Sequence, residues 1–426
     1  MERPPAATST MTTMKRPIAS FLLATIILAG PALARQPSGN EAVFLEAWRV
    51  TANAFYDPKM HGVDWDVVRT ELQPRARAAS TPAELSAVIN EALSRLHASH
   101  TEHYTQDQRE YYELLDIFFP DGVPAREGSK IEPGPVQYVG IGIATQTIDG
   151  RTFAADIYDT GPADKAGILP GDELLNVEGQ PWGDVAPFRG RDGKPTRITI
   201  QRTPDPASRR ELTATPELIR PHALFLASVR GSARIIKQDG KRIGYVRIRS
   251  YSHPDYHEAL KEVLSAEFEG ADGMVLDLRG GWGGANPSYM DIFNPTVPAL
   301  TYRTRDGRER RIDPTWRRPV AMLIDGGTRS GKEVLACAFK KHAIGPLVGE
   351  RSAGAVLAGT PRPLADGSVL YLAVSDVRVD GESLEGRGVE PDVTAARKLP
   401  YCEGKDEQIE AAVAAVMKQL GQKGKP

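Results

Sequence analysis

The chain has 426 residues, 41% hydrophobic and 25% charged, an ordinary globular balance with room for more than one domain. Its 53 Lys and Arg against 55 Asp and Glu leave a formal net charge of −2, so no basic field argues for nucleic acid. Two cysteines, Cys337 and Cys402, exclude a disulfide scaffold and a multi-cysteine metal site. Cys337 falls in an apolar helical pattern and reads as a small buried hydrophobe, while a Cys337–Cys402 pair stays open.

At the N-terminus, Lys15 and Arg16 precede an apolar run, residues 18–28, followed by Gly30-Pro31 and Ala32-Leu33-Ala34. A charged start, a short apolar core and an A-x-A site form a secretory signal peptide over residues 1–34, with cleavage expected after Ala34. The core is too short to span a bilayer comfortably, so no stable membrane anchor is expected after cleavage. The mature protein is expected to be periplasmic or extracellular. Residues 1–13 read as an extension ahead of Met14.

Residues 35–125 read as helical. Thr81-Pro82-Ala83-Glu84 combines an N-cap, a Pro at N1 and a Glu at N3. Leu85, Val88, Ile89, Ala92, Leu93 and Leu96 follow at helical spacing. This pattern runs out near His97, so Ser99 and His100 lie at or just beyond the helix end. A polar stretch, residues 126–135, reads as a linker.

From residue 134 to 218, strand-like runs alternate with turn signals. Gly161-Pro162-Ala163, Ala166-Gly167, Leu169-Pro170-Gly171-Asp172 and Val177-Glu178-Gly179 resemble a bacterial PDZ domain. The resemblance implies that Tyr138, Val139, Gly140, Ile141, Gly142 and Ile143 form the loop and strand edge that captures a peptide C-terminus. A strand edge can hydrogen-bond an extended peptide while adjacent N–H groups hold its carboxylate. The bland alternative is a packing module that binds nothing.

Strand candidates then return at residues 243–248, 274–278, 320–324, 347–348 and 369–374, with helical patterns at 256–268 and 332–342. Strands alternating with helices indicate an α/β layer over residues 219–403, closed by a C-terminal helix and tail at 404–426. The expected fold class is therefore multidomain α/β, with a helical N-terminal part and an inserted mostly-β module.

Two stretches in this layer carry chemistry. Gly326, Gly331 and Lys332 nearly complete a phosphate-binding G-x-x-x-x-G-K loop, but Glu333 stands where Ser or Thr must hold Mg²⁺. The same turn suits Ser330 instead. It fits a capping box with Glu333, and it also displays a hydroxyl beside free helix N–H groups that can stabilise an oxyanion. Gly326 and Gly327 are expected to permit the bend. The second stretch is Gly280-Gly281-Trp282-Gly283-Gly284 after an apolar strand, where glycines let backbone N–H groups approach a substrate. With Asn286 at the final position it does not complete a dinucleotide fingerprint.

Together these segments resemble the C-terminal processing peptidase and tricorn-core family of serine proteases. The residues that carry the resemblance are Asp277-Leu278-Arg279-Gly280 with Gly283-Gly284, Thr328-x-Ser330-x-x-Glu333, Val348-Gly349-Glu350, Asp366-Gly367-Ser368 and residues 385–393. It implies a crotonase-like α/β catalytic core, Ser330 as nucleophile, and an oxyanion hole from the Gly283 and Gly331 amides. In one departure, Ala355 stands where the processing peptidases carry their lysine base, so that dyad is absent. The tricorn-like branch implies a different base, with Ser99-His100 ahead of the PDZ-like module and Glu385 just before Gly388-Val389-Glu390-Pro391-Asp392. The implied tetrad is Ser330, His100, Ser99 and Glu385. Lys332 is a fallback base, although two positions after Ser330 it should project away.

His97, His100 and His103 do not match a zinc pattern, so neither a metal nor a cofactor is expected. The expected function is an exported serine endopeptidase acting on peptides or proteins. The rivals are a catalytically silent peptide-binding protein, motivated by Ala355, and an esterase or amidase using the same residues.

Overall fold

Five parallel-paired strands make the central layer, and their burial explains their sequence. The sheet runs in the order Arg234–Gln238, Lys241–Arg247, Gly273–Asp277, Val320–Ile324, Leu347–Gly349 and Val393–Thr394, with the first pair antiparallel and the rest parallel. This computed structural model describes residues 39–125, 130–313 and 315–423, so the expected signal peptide lies outside the described residues. Gly273–Asp277 and Val320–Ile324 are buried throughout, as expected for central strands covered on both faces. Side chains alternate between those faces. Met274, Leu276 and Met322 pack with Leu260, Leu335 and Phe339, whereas Val275, Ala321 and Leu323 pack with Val413 and Val416 of the helix Glu407–Lys423.

The N-terminal part holds the helices Asn40–Ala54, Trp65–Ala78 and Pro82–Ser94, whose apolar faces share one core with Leu370 and Leu372. Thr81 caps the third helix by accepting from the Glu84 N–H at 3.1 Å, while Glu84 accepts from the Ser80 N–H rather than completing the box on Thr81. The expectation of helix throughout this part needs correction at Glu102–Tyr104. These residues form a strand paired antiparallel with Val369–Ser375, which pairs in turn with Ala358–Pro363. A three-residue strand shows no period of its own; the cross-strand partner, more than 260 residues later, decides it. That pairing brings His100 across the molecule.

Residues 134–218 are built largely of an antiparallel sheet, Ile143–Ile148, Arg151–Ile157, Glu173–Val177, Thr196–Gln201 and Arg209–Ala214 in spatial order, around Ile143, Ala154, Phe188, Ile198 and Ile200. Of the residues expected to capture a peptide terminus, Tyr138–Gly140 pair with Glu217–Ile219, and Ile143 opens the end strand of the sheet. Arg247 and Arg249 of the core reach Asp156 of this sheet at 2.9 and 2.7 Å. No helix among the described residues is long and apolar enough to cross a membrane.

Candidate active site

Both sequence stretches singled out for chemistry leave the central sheet at the carboxyl ends of adjacent parallel strands, the usual place for an α/β site. After Gly273–Asp277 the chain turns through Arg279, whose buried guanidinium bonds Asp277 at 2.6 Å, Asp406 at 2.9 Å and Gln408 at 2.7 Å. That fork, bidentate on carboxylate, clamps the glycine turn at its root. Asp325 ties this turn to its neighbour, because its Oδ1 accepts from both the Gly280 and Gly327 N–H groups at 2.9 Å.

The second turn ends at Ser330, just before the helix Gly331–Lys341. Its backbone has φ 57° and ψ −130°, a conformation costly for a residue with a Cβ. Gly326 and Gly327 do not take up the bend by positive φ, contrary to the sequence expectation; Ser330 itself does. Gly327 instead admits Gly280, whose Cα would lie 2.8 Å from a Cβ at residue 327. A strained serine between strand and helix is how a nucleophile elbow displays its hydroxyl.

Glu333 explains why the turn holds. It is fully buried, and its Oε1 accepts from Ser352 Oγ at 2.6 Å and the Gly354 N–H at 2.7 Å. Its Oε2 accepts from the Ala355 N–H at 2.7 Å and the Ser330 N–H at 3.3 Å, the latter being the return half of a capping box. The Ala355 carbonyl also accepts from the Ser330 N–H, at 2.7 Å. Ala355 therefore stands beside Ser330, but its methyl group cannot take a proton.

Gly283 and Gly331, the pair expected to supply the oxyanion amides, lie against each other beside Ser330. A Cβ on Gly283 would fall 2.8 Å from both the Arg329 carbonyl and the Gly331 nitrogen and collide with Ser330 Cβ. A Cβ on Gly331 would collide with Ala285. Two backbones packed this closely leave no room for side chains at either position.

Three of the four residues expected to form a tetrad, Ser99, His100 and Glu385, are joined by hydrogen bonds on the other wall. Ser99 Oγ lies 2.9 Å from His100 Nδ1 and donates to Glu385 Oε2 at 2.9 Å. Glu385 also accepts from the Ser99 N–H and the Val356 N–H, both at 2.9 Å. A carboxylate only accepts, so the Ser99 hydrogen is committed to Glu385 and its lone pair receives the Nδ1 hydrogen of His100. That assignment leaves the Nε2 lone pair free. His100 is 3% exposed, and burial, together with the nearby charge of Arg329, pushes its pKa down to about 3. The imidazole is neutral at ordinary pH.

Ser330 and His100 line the same cavity of about 210 Å³, walled by Leu114, Leu357 and Tyr371. No hydrogen bond joins Ser330 to His100 among the described residues; such bonds are often long before substrate arrives. Lys332 is not placed to substitute. Its buried Nζ donates to the Arg249 and Gly280 carbonyls at 2.9 and 2.8 Å, and desolvation, then Arg247, pushes it down to about 7. His103 is held between Ser86 Oγ and Ser368 Oγ, both at 2.8 Å, and His97 is exposed. Among the described residues, the group able to hold a metal is His222, His253 and Asp255, not this histidine trio.

Sequence reasoning passed over Asp325, Ser352, Trp282 and Arg329. Ser352 and Asp325 act by bridging segments through hydrogen bonds that no periodicity signals. Trp282 was visible inside its glycine turn, where its indole donates to the buried Glu113 at 2.7 Å. Arg329 was visible as the neighbour of Ser330.

The fold and the placement of these side chains bring a strained serine and a buried histidine to one cavity at the carboxyl end of a parallel sheet. Residues 242–395 match peptidase family S41, and residues 40–94 match the tricorn protease C1 domain. The carboxy-terminal processing protease CtpB of Bacillus subtilis is 29% identical over 62% of this chain and 56% of its own length. The carboxyl-terminal-processing protease of Synechocystis is 25% identical over 84% of this chain and 82% of its own. The crystal structure of the tricorn protease shares the fold, with a TM-score of 0.51 at 20% identity over 90% of this chain and 37% of that one. These matches make the chain similar to the C-terminal processing and tricorn-core serine peptidases and support its assignment to peptidase family S41. It spans little more than half the length of CtpB.

Proposed function

We propose that the protein is an exported serine endopeptidase that cleaves peptides or proteins with His100, rather than a lysine, as its base. The observation that carries this reading is a strained Ser330 opening into the same cavity as a buried, neutral His100 whose Nδ1 is tied through Ser99 to Glu385. Ser330 Oγ bonds to the scissile carbonyl carbon while its proton passes to His100 Nε2. The Gly283 and Gly331 amides receive the oxyanion, and the imidazolium returns the proton to the leaving amine. Water then hydrolyses the acyl-enzyme by the same route. Ser99 and Glu385 keep His100 in the tautomer that accepts at Nε2.

Export rests on the signal-like residues 15–34. A PDZ-like role for residues 134–218 rests on the sheet around Ile143 and on its end strand, Ile143–Ile148, which pairs on one side with Arg151–Ile157. The end strand leaves an edge for an extended peptide, and residues 138–143 lead into it.

A fluorophosphonate probe is expected to label the native chain and not Ser330→Ala, with peptide cleavage lost in parallel. Equal labelling of the two proteins would overturn the assignment. Gly283→Ala is expected to lower kcat by about 10²–10³-fold by displacing Ser330 and the oxyanion donors. A variant that cleaves a reporter peptide at the native rate would remove Gly283 from the site.

A further inference from the structure

Arg329, the residue before the nucleophile, differs from the other arginines near the site. Arg109 is paired with Glu113, Arg249 with Asp156 and Arg279 with Asp277. Arg329 makes no ion pair and no side-chain hydrogen bond among the described residues; its guanidinium carbon lies 5.3 Å from the centre of the Trp282 ring. It is partly buried and lines both the Ser330 cavity and an adjoining cavity of about 550 Å³. Among the described residues on the wall of the Ser330 cavity it is the one permanently charged side chain, since His100 is neutral and the remainder is apolar, glycine or hydroxyl-bearing. Glu102, on the wall of the adjoining cavity, receives the Tyr104 hydroxyl instead.

Withdrawing a guanidinium from water without a carboxylate partner is costly. An unpaired one beside a nucleophile, in a cavity open to substrate, has its counter-ion still to come. We infer that Arg329 is a specificity determinant that receives the carboxylate of an Asp or Glu side chain on the substrate residue whose carbonyl Ser330 attacks. This inference rests on Ser330 being the nucleophile.

The guanidinium fork matches a carboxylate with two parallel hydrogen bonds, and apolar walls strengthen the pairing by excluding water. A Lys or Arg side chain in the same place meets like charge. The base gains as well. The charge of Arg329 helps to hold the His100 imidazolium down, so a carboxylate seated on Arg329 offsets that charge and raises the affinity of Nε2 for the serine proton. An acidic substrate should therefore improve kcat as well as KM.

The test uses the full chain and its Arg329→Gln, Arg329→Lys and Arg329→Glu variants. Each is given matched peptides with Glu, Gln or Lys at the cleaved residue, with free-acid and amidated C-termini, and is labelled with a fluorophosphonate in parallel. The native chain is expected to prefer Glu over Gln by about 10- to 100-fold in kcat/KM, whatever the C-terminus. Arg329→Lys should keep part of that preference, Arg329→Gln should lose it, and Arg329→Glu should favour Lys. A labelled native enzyme that cleaves the Gln or Lys peptide as well as the Glu peptide would overturn the inference while leaving the nucleophile in place. A preference that follows the free C-terminal carboxylate instead would also overturn it. Absence of labelling would sink the nucleophile assignment and this inference with it.

Discussion

His100→Ala is expected to lower kcat by about 10³- to 10⁶-fold, the range for losing a member of a serine–base constellation. The size follows from geometry. Ala355 offers no proton acceptor beside Ser330, and Lys332 is committed to two backbone carbonyls inside the core. Among the described residues, no other group on the wall of the Ser330 cavity is placed as a base. Residual turnover then comes from the oxyanion amides and substrate binding alone. Single-turnover cleavage of a reporter peptide measures the loss, with far-UV circular dichroism confirming the fold. A decrease of less than tenfold would show that another group takes the proton.

The same residue is expected to set the pH dependence. A base works only while unprotonated, so activity falls as pH drops through its pKa in the folded enzyme. Burial and then Arg329 lower that pKa from 6.5 to about 3. The acid limb of kcat/KM is therefore expected well below pH 6.5, and an ordinary histidine limb near 6.5 would contradict the buried, neutral imidazole. With a peptide that places a carboxylate on Arg329, the limb for kcat should lie at higher pH than that for kcat/KM.

Glu333→Ala is expected to destabilise the fold by about 3–5 kcal/mol, since each buried donor left unsatisfied costs about 1–3 kcal/mol. Three donors lose their acceptor, Ser352 Oγ and the N–H groups of Gly354 and Ala355, while the Ser330 N–H keeps the Ala355 carbonyl. Unsatisfied buried donors carry their full desolvation cost. The strained Ser330 backbone also loses part of what holds it, so probe labelling should fall along with the urea midpoint. Glu333→Gln keeps the side-chain volume and one acceptor oxygen and is expected to lose less. An alanine variant within about 1 kcal/mol of the native chain would mean that the loop does not depend on this carboxylate.

Much of the fold was legible. The central strand expected at residues 320–324 matches Val320–Ile324, and the helix expected at 332–342 matches Gly331–Lys341 within a residue at each end. Such strands, buried on both faces, announce themselves as apolar runs. The strand Glu102–Tyr104 was not legible, because three residues following a helical pattern have no signal until Val369–Ser375 lies beside them. The bend was misplaced for a related reason. Glycines are the ordinary way to reach positive φ, yet the chain places the strain on Ser330, held there by Glu333 and Ala355.

By itself the sequence determined which residues carry reactive groups. Ser330 follows an apolar strand, Ala355 stands in place of the lysine, and Ser99, His100 and Glu385 are the groups proposed as an alternative base and its support. These are matters of residue type and order. What only the tertiary structure decided is which of those groups meet. Ser99 and Glu385 stand 286 positions apart, yet they share two hydrogen bonds. His100 and Ser330 come to one cavity because the short strand after His100 pairs with Val369–Ser375, and Glu385 reaches Ser99 and Val356 together. Arg329 could be read from the chain as a cation beside a serine. Its lack of a counter-ion became visible only when every neighbouring carboxylate had found another partner, since pairing depends on distance in space and not on order along the chain.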